Sequence, residues 1–258
     1  MPTSDTVRLE VDDDVATLTV DRPEKLNSLN VETLEALEEA LAAAREAEAR
    51  CLVLTGAGDD AFVAGADLSY MKDLSTPEAQ AYAELGHRVC DALETFPGPT
   101  IAAVNGYAFG GGCELALACD LRVASERATL GQTEIDLGIV PGWGGTQRLP
   151  RLVGDEIARR MIFFGDRVDA EDARELGLVG EVVAHDQLAS RVEEQAAELA
   201  SKPRFALQVA KEALNAVHEE PQAAGLAYER RAWSGLFGTH DQREGMEAFV
   251  EKRDPEFE

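Results

Sequence analysis

The stretch Ala103-Val-Asn-Gly-Tyr-Ala-Phe-Gly-Gly-Gly-Cys-Glu-Leu115 sets three consecutive glycines between two apolar segments. The apolar residues on either side predict a strand over Thr100–Tyr107 and a short helix over Cys113–Ala118. Glycines directly before a helix leave backbone N–H groups uncovered at the positive end of the helix dipole, where a phosphate or a developing oxyanion can bind. A tight turn or close backbone packing is the commoner explanation for such a triplet, so on its own it is a weak sign of a site.

Glu114 lies in the first turn of the predicted helix, two residues after the last glycine. Its neighbours Cys113 and Leu115–Ala118 are all apolar, so we expect a buried helix and a desolvated carboxylate. A second acid, Glu134, follows twenty residues later beside the apolar Ile135. Each alone has a structural explanation, as an acid at a helix N-terminus or in a surface loop. Two carboxylates with separated pKa values could instead divide acid and base roles on one substrate.

Strand and helix patterns alternate around these residues until about residue 185, and only helical patterns follow. The predicted strands are Val15–Val20, Cys51–Thr55, Thr100–Tyr107 and Leu121–Ala124. One predicted helix begins after Asn30 as its N-cap, and the next runs from Thr76, an N-cap followed by Pro77, to Glu94. Further predicted helices cover Asp169–Leu176, Gln187–Leu199, Pro203–Val217, Gln222–Phe237 and Asp241–Arg253. We therefore predict an α/β core with the active site over residues 1–195 and a helical region over residues 196–258.

The charge balance excludes several classes of partner. The chain has 24 Lys plus Arg against 49 Asp plus Glu, a formal net charge of −25. Such a surface repels phosphate backbones and carries no basic patch, so no nucleic-acid partner is expected. The apolar runs are far shorter than the roughly 20 residues that span a bilayer. Because the N-terminus also lacks a basic and apolar leader, we expect a cytoplasmic protein with no membrane partner.

The basic residues themselves are unusual, because only five of the 24 are lysines. An acidic, lysine-poor surface is typical of proteins from salt-loving organisms, in which high ionic strength screens self-repulsion. A halophilic source is therefore a hypothesis, and an ordinary acidic protein is its alternative. The cysteines and histidines show no metal-binding or triad spacing, and we expect reduced core cysteines and no metal site. These residues are Cys51, Cys90, Cys113, Cys119, His87, His185, His218 and His240.

Several stretches, in order and spacing, resemble the enoyl-CoA hydratase/isomerase (crotonase) superfamily. They are Phe62-Val-Ala-Gly-Ala-Asp-Leu68, the stretch over residues 103–115, Gly131-Gln-Thr-Glu-Ile135, Pro141-Gly-Trp-Gly-Gly-Thr-Gln-Arg-Leu149 and Arg243-Glu-Gly-Met-Glu-Ala-Phe-Val-Glu-Lys-Arg253. The resemblance covers residues 7–253. It implies a crotonase-type spiral of ββα turns with a C-terminal helical trimerisation region, assembled as a homo-trimer or a dimer of trimers. It also implies an acyl-CoA thioester substrate and no metal or redox cofactor, CoA being part of the substrate.

The resemblance also implies roles for individual residues. The backbone N–H groups of Ala66 and Gly111 would bind the thioester oxygen as it becomes an enolate. Glu114 would take a proton from water as it attacks the β-carbon, and Glu134 would give a proton to the α-carbon. The result is syn hydration of a trans-2-enoyl-CoA, or the reverse dehydration. Residues expected to contact the substrate or CoA are Lys25, Leu26, Ala64, Asp67, Leu68, Gly142, Phe249 and Lys252.

Two other functions remain open from the sequence. Double-bond isomerases of the family need chiefly the acid at the Glu134 position, so the presence of Glu114 favours hydration. A non-catalytic acyl-CoA-binding subunit is the second alternative, and the two intact glutamates disfavour it. Trp143 occupies a position where many hydratases have a small residue. An indole there could shorten the acyl tunnel and favour short chains such as crotonyl, or it could serve core packing.

Overall fold

The computed structural model describes residues 4–218 and 220–258. Residues 1–3 of the predicted core and the side chain of His218 lie outside this description. The strands are β1 (Val7–Asp12), β2 (Val15–Val20), β3 (Cys51–Gly56), β4 (Ala61–Val63), β5 (Thr100–Val104), β6 (Tyr107–Phe109), β7 (Leu121–Ser125), β8 (Thr129–Gly131), β9 (Arg167–Asp169) and β10 (Glu181–Val183). The helices are α1 (Val31–Glu46), α2 (Leu68–Met71), α3 (Thr76–Glu94), α4 (Gly111–Ala118), α5 (Gly145–Val153), α6 (Asp155–Phe164), α7 (Ala170–Glu175), α8 (Leu188–Ala200), α9 (Arg204–Asn215), α10 (Gln222–Gly235) and α11 (His240–Glu251).

The strands form two sheets, and the chain alternates between them. The larger sheet has the order β1-β2-β3-β5-β7-β10 and the smaller has the order β4-β6-β8-β9. Three successive turns place one strand in the large sheet and the next in the small one, namely β3 then β4, β5 then β6, and β7 then β8. Helices α3, α4 and α5 follow these pairs. The predicted α/β fold, a spiral of ββα turns with helices at the C-terminal end, is confirmed.

Helices cover the large sheet on both sides, so its central strand β5 is buried along its whole length. Every residue of β5 is buried, as expected for a parallel strand covered on both faces. On one side Leu34, Leu37 and Leu41 of α1 enter the main core, and Asn30 caps that helix by accepting from the Thr33 N–H as predicted. The four cysteines are free and buried, which confirms that expectation.

The other side of the sheet is covered by α8. Val192, Ala196 and Ala200 pack against residues of β3, β5 and β7, including Cys51 and Ile101. The boundary predicted after residue 195 falls inside this helix, whose buried residues lie on both sides of that position.

Three predictions in the first half of the chain are wrong, and helices α9–α11 each end two residues before their predicted ends. The strand predicted over Thr100–Tyr107 is two strands in different sheets, because the chain turns at Asn105-Gly106. A Cβ at Gly106 would lie 2.2 Å from the Asp60 carbonyl oxygen, so only glycine permits this close approach. The helix predicted from Cys113 begins two residues earlier, at Gly111.

The third correction concerns the start of α3. The N-cap is Ser75 and not Thr76, and Ser75 forms a capping box with Glu78. Its N–H and hydroxyl both donate to the Glu78 carboxylate. The sequence Ser75-Thr76 offers two possible caps, and the position of the glutamate three residues later decides between them.

The C-terminal helices predicted after residue 200 are confirmed as helices α9–α11, and none of the described helices is both long and apolar enough to cross a membrane. Lys211 joins α9 to the core. Its side chain is 9% exposed, and its ammonium group lies 2.8 Å from Oδ2 of Asp120 and also donates to the carbonyls of Leu93 and Gly98. Thr100 donates to the same carboxylate from its N–H and its hydroxyl. The buried, charged side chain of Lys211 thus fixes the helical region to the core.

We expect Lys211→Met to lower the free energy of unfolding by about 2–3 kcal/mol, because it leaves Asp120 without its counter-charge and two carbonyls without a donor. The measurement is urea unfolding at a fixed protein concentration. Lys202→Met is the control, since Lys202 forms an exposed pair with Glu198 and its loss should cost less than about 1 kcal/mol. Equal losses in the two variants would contradict the role assigned to Lys211.

Candidate active site

The site lies where β4 and β6 end. These strands pair in parallel, with Val63 beside Ala108, so the loops that leave their carboxyl ends are neighbours. The loops touch closely. A Cβ at Gly65 would lie 3.1 Å from the Phe109 carbonyl oxygen, and one at Gly112 would lie 1.9 Å from the Val63 carbonyl oxygen. Parallel pairing therefore brings together the two glycine motifs that are more than forty residues apart in the sequence.

The backbone of Ala66 is held by Leu29. The Leu29 N–H donates to the Gly65 carbonyl (2.9 Å), and the Leu29 carbonyl accepts from the Asp67 N–H (2.6 Å). In this parallel bridge the residue between the two bonded groups turns its own N–H and C=O away from the partner strand. The Ala66 N–H therefore points away from Leu29, and within residues 4–218 and 220–258 it donates to no acceptor.

Gly111 provides a second uncovered N–H. It begins α4, and the first N–H groups of a helix have no acceptor inside the helix. Gly110, at φ +49°, donates to the Gly131 carbonyl and accepts from the Glu114 N–H, both at 2.9 Å, which fixes the turn. Among the residues that the structure describes, the Gly111 N–H also lacks an acceptor. Two uncovered amides on neighbouring loops are the arrangement that an oxyanion requires.

Glu114 lies on α4 behind this turn and is 2% exposed. Its Oε1 accepts hydrogen bonds from the backbone N–H groups of Trp143 and Gly145, both at 2.7 Å. Burial raises the pKa of Glu114, and these two donors oppose the shift by stabilising the ionised form. The loop after β8 thus holds this carboxylate in one orientation.

Glu134 opens a 3-10 turn over Glu134–Leu137 and is 8% exposed. A Cβ at Gly110 would lie 3.2 Å from its Oε1, so the carboxyl group lies directly over the glycine turn. The Gln132 amide nitrogen, in the orientation that satisfies both groups, donates to Oε1 (2.9 Å) and Oε2 (3.2 Å). Burial, reinforced by the negative charge of Glu114, raises the pKa of Glu134 to about 7. The two acids therefore share one site, as the sequence suggested.

Trp143 is packed between two helices and is buried. A Cβ at Gly86 of α3 would lie 2.2 Å from its Nε1, and a Cβ at Gly111 would lie 2.1 Å from its Cζ3. The indole also meets the ring of Tyr82 edge to face, at 5.4 Å between centroids. Trp143 therefore fills core space, one of the two roles that the sequence left open, and it also packs behind Gly111; its effect on acyl chain length stays a prediction. Neighbouring Gly142 has nothing within 4 Å of its Cβ position.

Most of the residues predicted to contact substrate lie near these loops. The Leu26 carbonyl accepts from the Ala64 N–H (3.0 Å), which joins the exposed Lys25–Leu26 segment to the loop after β4. Asp67 caps α2, and Leu68 beside it is half-exposed. The Asp67 carboxylate accepts from Ser69 and Arg22, and these bonds lower the pKa of Asp67.

Phe249 and Lys252 are not brought to this site within one chain. Both are exposed at the end of α11, and the hydrogen bond from the Lys252 N–H to the Phe249 carbonyl is local. Their contact with the CoA of a neighbouring subunit, which the family resemblance implies, stays a prediction.

Three residues that support the site were missed by the sequence analysis. They are Gln132 beside Glu134, Tyr82 beside Leu29, and Arg22, whose guanidinium donates to the Ser28 carbonyl and pairs with Asp67 at 3.3 Å. Gln132 could have been found from the sequence, because it lies two residues before Glu134 in the run Gly131–Ile135. Nothing in the sequence near Tyr82 indicates its partner, which is 53 residues away.

A serine, a histidine and an aspartate meet elsewhere, which the scattered histidines did not predict. Ser125 Oγ lies 2.9 Å from His185 Nδ1, and His185 Nε2 lies 3.5 Å from Asp59 Oδ1. Ser125 is fully buried, so no substrate reaches its hydroxyl. Among the described residues, no group of three or more His, Cys, Asp and Glu side chains is arranged to hold a metal ion.

The fold and this geometry define an α/β spiral protein with two buried carboxylates beside two uncovered amides. The family model of enoyl-CoA hydratase/isomerase matches residues 10–258. The chain is 42% identical to the crotonyl-CoA hydratase of Syntrophomonas wolfei, over 96% of each chain. It is 43% identical to the short-chain-enoyl-CoA hydratase of Clostridium acetobutylicum, over 96% of this chain and 95% of that one.

Solved structures agree with the sequence comparison. The crystal structure of an enoyl-CoA hydratase from Bacillus anthracis superposes with a TM-score of 0.94 at 40% identity, covering 98% of both chains. The chain therefore belongs to the enoyl-CoA hydratase/isomerase family, and the resemblance seen in the sequence is confirmed.

The raised pKa of Glu134 predicts a pH-dependent cost to stability. Between the ordinary value of 4.5 and about 7, the folded protein keeps a proton that the unfolded chain releases, so stability falls as the pH rises. Glu134→Gln removes this loss. We expect the free energy of unfolding of Glu134→Gln, relative to that of the wild type, to increase by about 3 kcal/mol from pH 4.5 to pH 8. Urea unfolding across this range measures the gain, with exposed Glu10→Gln as the control. A constant difference would refute the shift.

Proposed function

We propose that the protein is an enoyl-CoA hydratase, which adds water across the double bond of a trans-2-enoyl-CoA to give a 3-hydroxyacyl-CoA. The observation that carries this proposal is the pair of buried carboxylates, Glu114 and Glu134, on either side of the glycine turn that exposes the Gly111 N–H. The names of the relatives, crotonyl-CoA hydratase and short-chain-enoyl-CoA hydratase, support the same reaction.

The uncovered amides would stabilise the charge that forms during the reaction. When water attacks the β-carbon, the electron pair of the double bond moves toward the thioester carbonyl, whose oxygen becomes negative. The N–H groups of Ala66 and Gly111 are proposed to donate to that oxygen. In comparable sites, loss of one such donor costs on the order of 3–4 kcal/mol of transition-state stabilisation.

The two carboxyl groups would transfer the protons. Glu114, whose ionised form two backbone donors stabilise, accepts a proton from the attacking water. Glu134, whose pKa of about 7 leaves it substantially protonated at neutral pH, gives a proton to the α-carbon. Both groups lie beside the same turn, so both protons are handled on one face and addition is syn. The same groups run the reverse dehydration, and the proposed chemistry needs no cofactor beyond the CoA carried by the substrate.

The proposed substrate site includes a neighbouring subunit. The C-terminal helices expose large apolar side chains, which is unusual for a surface that faces only water. They are Phe205, Leu214, Val217, Trp233, Phe249 and Val250, each at least 60% exposed. These residues support the proposed homo-trimer or dimer of trimers. In that assembly Phe249 and Lys252 would reach the CoA bound by the next subunit, while Lys25, Leu26, Ala64, Asp67 and Leu68 line the same subunit's part of the site.

We expect Glu114→Gln and Glu134→Gln each to lower kcat for crotonyl-CoA hydration by roughly 100- to 10,000-fold, because each removes one proton transfer. The assay follows the loss of the conjugated thioester absorbance in purified protein, at low and at high salt. Glu10→Gln, on the exposed face of β1, is the control and should retain full activity.

The same variants separate hydration from its alternatives. A double-bond isomerase would lose isomerisation in Glu134→Gln and keep it in Glu114→Gln. A folded wild type that binds crotonyl-CoA without turnover of either kind would indicate a non-catalytic subunit, contrary to the proposal.

From the position of Trp143 we predict that the protein prefers substrates with short acyl chains. The indole of Trp143 fills the space behind Gly111, and we propose that a longer acyl chain would need this space. Trp143→Leu should raise the ratio of kcat/KM for decenoyl-CoA to that for crotonyl-CoA by about tenfold or more, because each additional methylene that fits a pocket contributes substantially to binding. The ratio cancels any general loss of folded enzyme. Equal wild-type activity on the two substrates would exclude this role.

A further inference from the structure

Tyr82 connects parts of the site that no other described side chain joins. It lies on α3, is 5% exposed, and its hydroxyl donates to the Leu29 carbonyl at 2.7 Å. That carbonyl also accepts from the Asp67 N–H at 2.6 Å. The Leu29 carbonyl oxygen, which accepts from Asp67, therefore also accepts from the Tyr82 hydroxyl.

The ring of Tyr82 makes the second connection. It meets Trp143 edge to face at 5.4 Å and Tyr70 of α2 at 5.4 Å. The backbone N–H of Trp143 donates to Glu114, and its indole covers Gly111. The hydroxyl of Tyr82 thus contacts the Leu29 carbonyl, which holds the loop of Ala66. Its ring contacts Trp143, which packs on Gly111 and donates to Glu114.

We propose that Tyr82 is a positioning residue that sets the Ala66 N–H relative to the Gly111 N–H and to Glu114. The inference rests on the proposed function, in which those amides bind the thioester oxygen. Two donors stabilise one oxygen only if both lie at hydrogen-bond distance from it, so a small shift of either loop weakens both contacts. The hydroxyl fixes the loop that carries Ala66. The contact of the ring with Trp143 sets the position of that loop relative to Gly111.

Packing alone does not explain the hydroxyl. A phenylalanine would fill the same space beside Trp143, whereas a buried hydroxyl must find an acceptor or destabilise the fold. Here the acceptor is the carbonyl that already accepts from Asp67. The loop has a separate anchor in the pair between Arg22 and Asp67, with both side chains nearly buried. Removal of the hydroxyl should therefore loosen the Ala66 N–H without unfolding the loop.

The test is Tyr82→Phe, which removes the hydroxyl and keeps the ring. We expect kcat for crotonyl-CoA to fall about tenfold while KM changes less than twofold, because the hydroxyl acts on the charge formed in the transition state. Tyr228→Phe is the matched control. Its hydroxyl donates to Glu212 on the exposed helical region, and its loss should leave both constants unchanged.

A spectroscopic measurement separates positioning from stability. Bound 4-aminocinnamoyl-CoA, a conjugated thioester with an electron donor at the far end, absorbs at longer wavelength when donors polarise its carbonyl. We expect Tyr82→Phe to lose at least half of the red shift that the wild type produces. A purely structural role would lower the folded fraction and leave the band of bound probe unmoved. An unchanged kcat and an unchanged band in Tyr82→Phe would overturn the proposal.

Tyr82→Met is a second variant, which lacks both the hydroxyl and the ring. We expect it to lose more activity and more of the red shift than Tyr82→Phe. If only Tyr82→Met is impaired, the hydroxyl has no positioning role and the proposal fails. Failure of the proposed function looks different, because the wild type itself would then not hydrate crotonyl-CoA, whatever the band of the bound probe shows.

Discussion

The parallel pairing of β4 with β6 is the constraint on which the site depends. Parallel strands end at the same edge of a sheet, so the loops after Val63 and Phe109 must lie side by side. The Val63 carbonyl leaves no room for a Cβ at residue 112, and the φ of +105° at residue 65 favours glycine there. Among the described residues, each loop has one backbone N–H without an acceptor, that of Ala66 and that of Gly111. The pairing of two three-residue strands thus creates a pair of neighbouring donors from residues that the sequence separates widely.

The electrostatics of the site follow from the burial of both acids in this frame. Glu114 is less exposed than Glu134, yet it alone receives two backbone N–H donors. Burial opposes ionisation of both; two backbone N–H groups counter it at Glu114, whereas Glu134 receives the side-chain amide of Gln132. Ionised Glu114 then raises the pKa of Glu134 further. Two chemically identical groups therefore have different surroundings, which is the condition for the separate acid and base roles proposed for them.

The sequence predicted those parts of the molecule that depend on local patterns. The triple glycine, the buried Glu114 and the cap at Asn30 are each encoded within a few residues. The three-residue strands β4, β6, β8 and β9 are too short to show a period, and α5 and α6 went unpredicted between them. Tyr82 has no local signal, because the carbonyl that it binds belongs to another element. The family resemblance supplied residue roles that periodicity could not, while contacts across elements required the fold.

The distribution of lysines links substrate binding to assembly. Of the five lysines, Lys211 is buried against a carboxylate, and Lys72 and Lys202 each pair with an acid close in sequence. Within residues 4–218 and 220–258, Lys25 and Lys252 are the lysines with no ion pair, and both are exposed. In a chain of net charge −25, an approaching CoA is repelled unless cations remain available for its phosphates. One of these lysines lies beside the site and the other lies at the end of α11, away from its own site. Charge complementarity thus supports the proposed CoA site completed by a second subunit, in which Lys252 would reach the phosphates that Lys25 alone would leave unpaired.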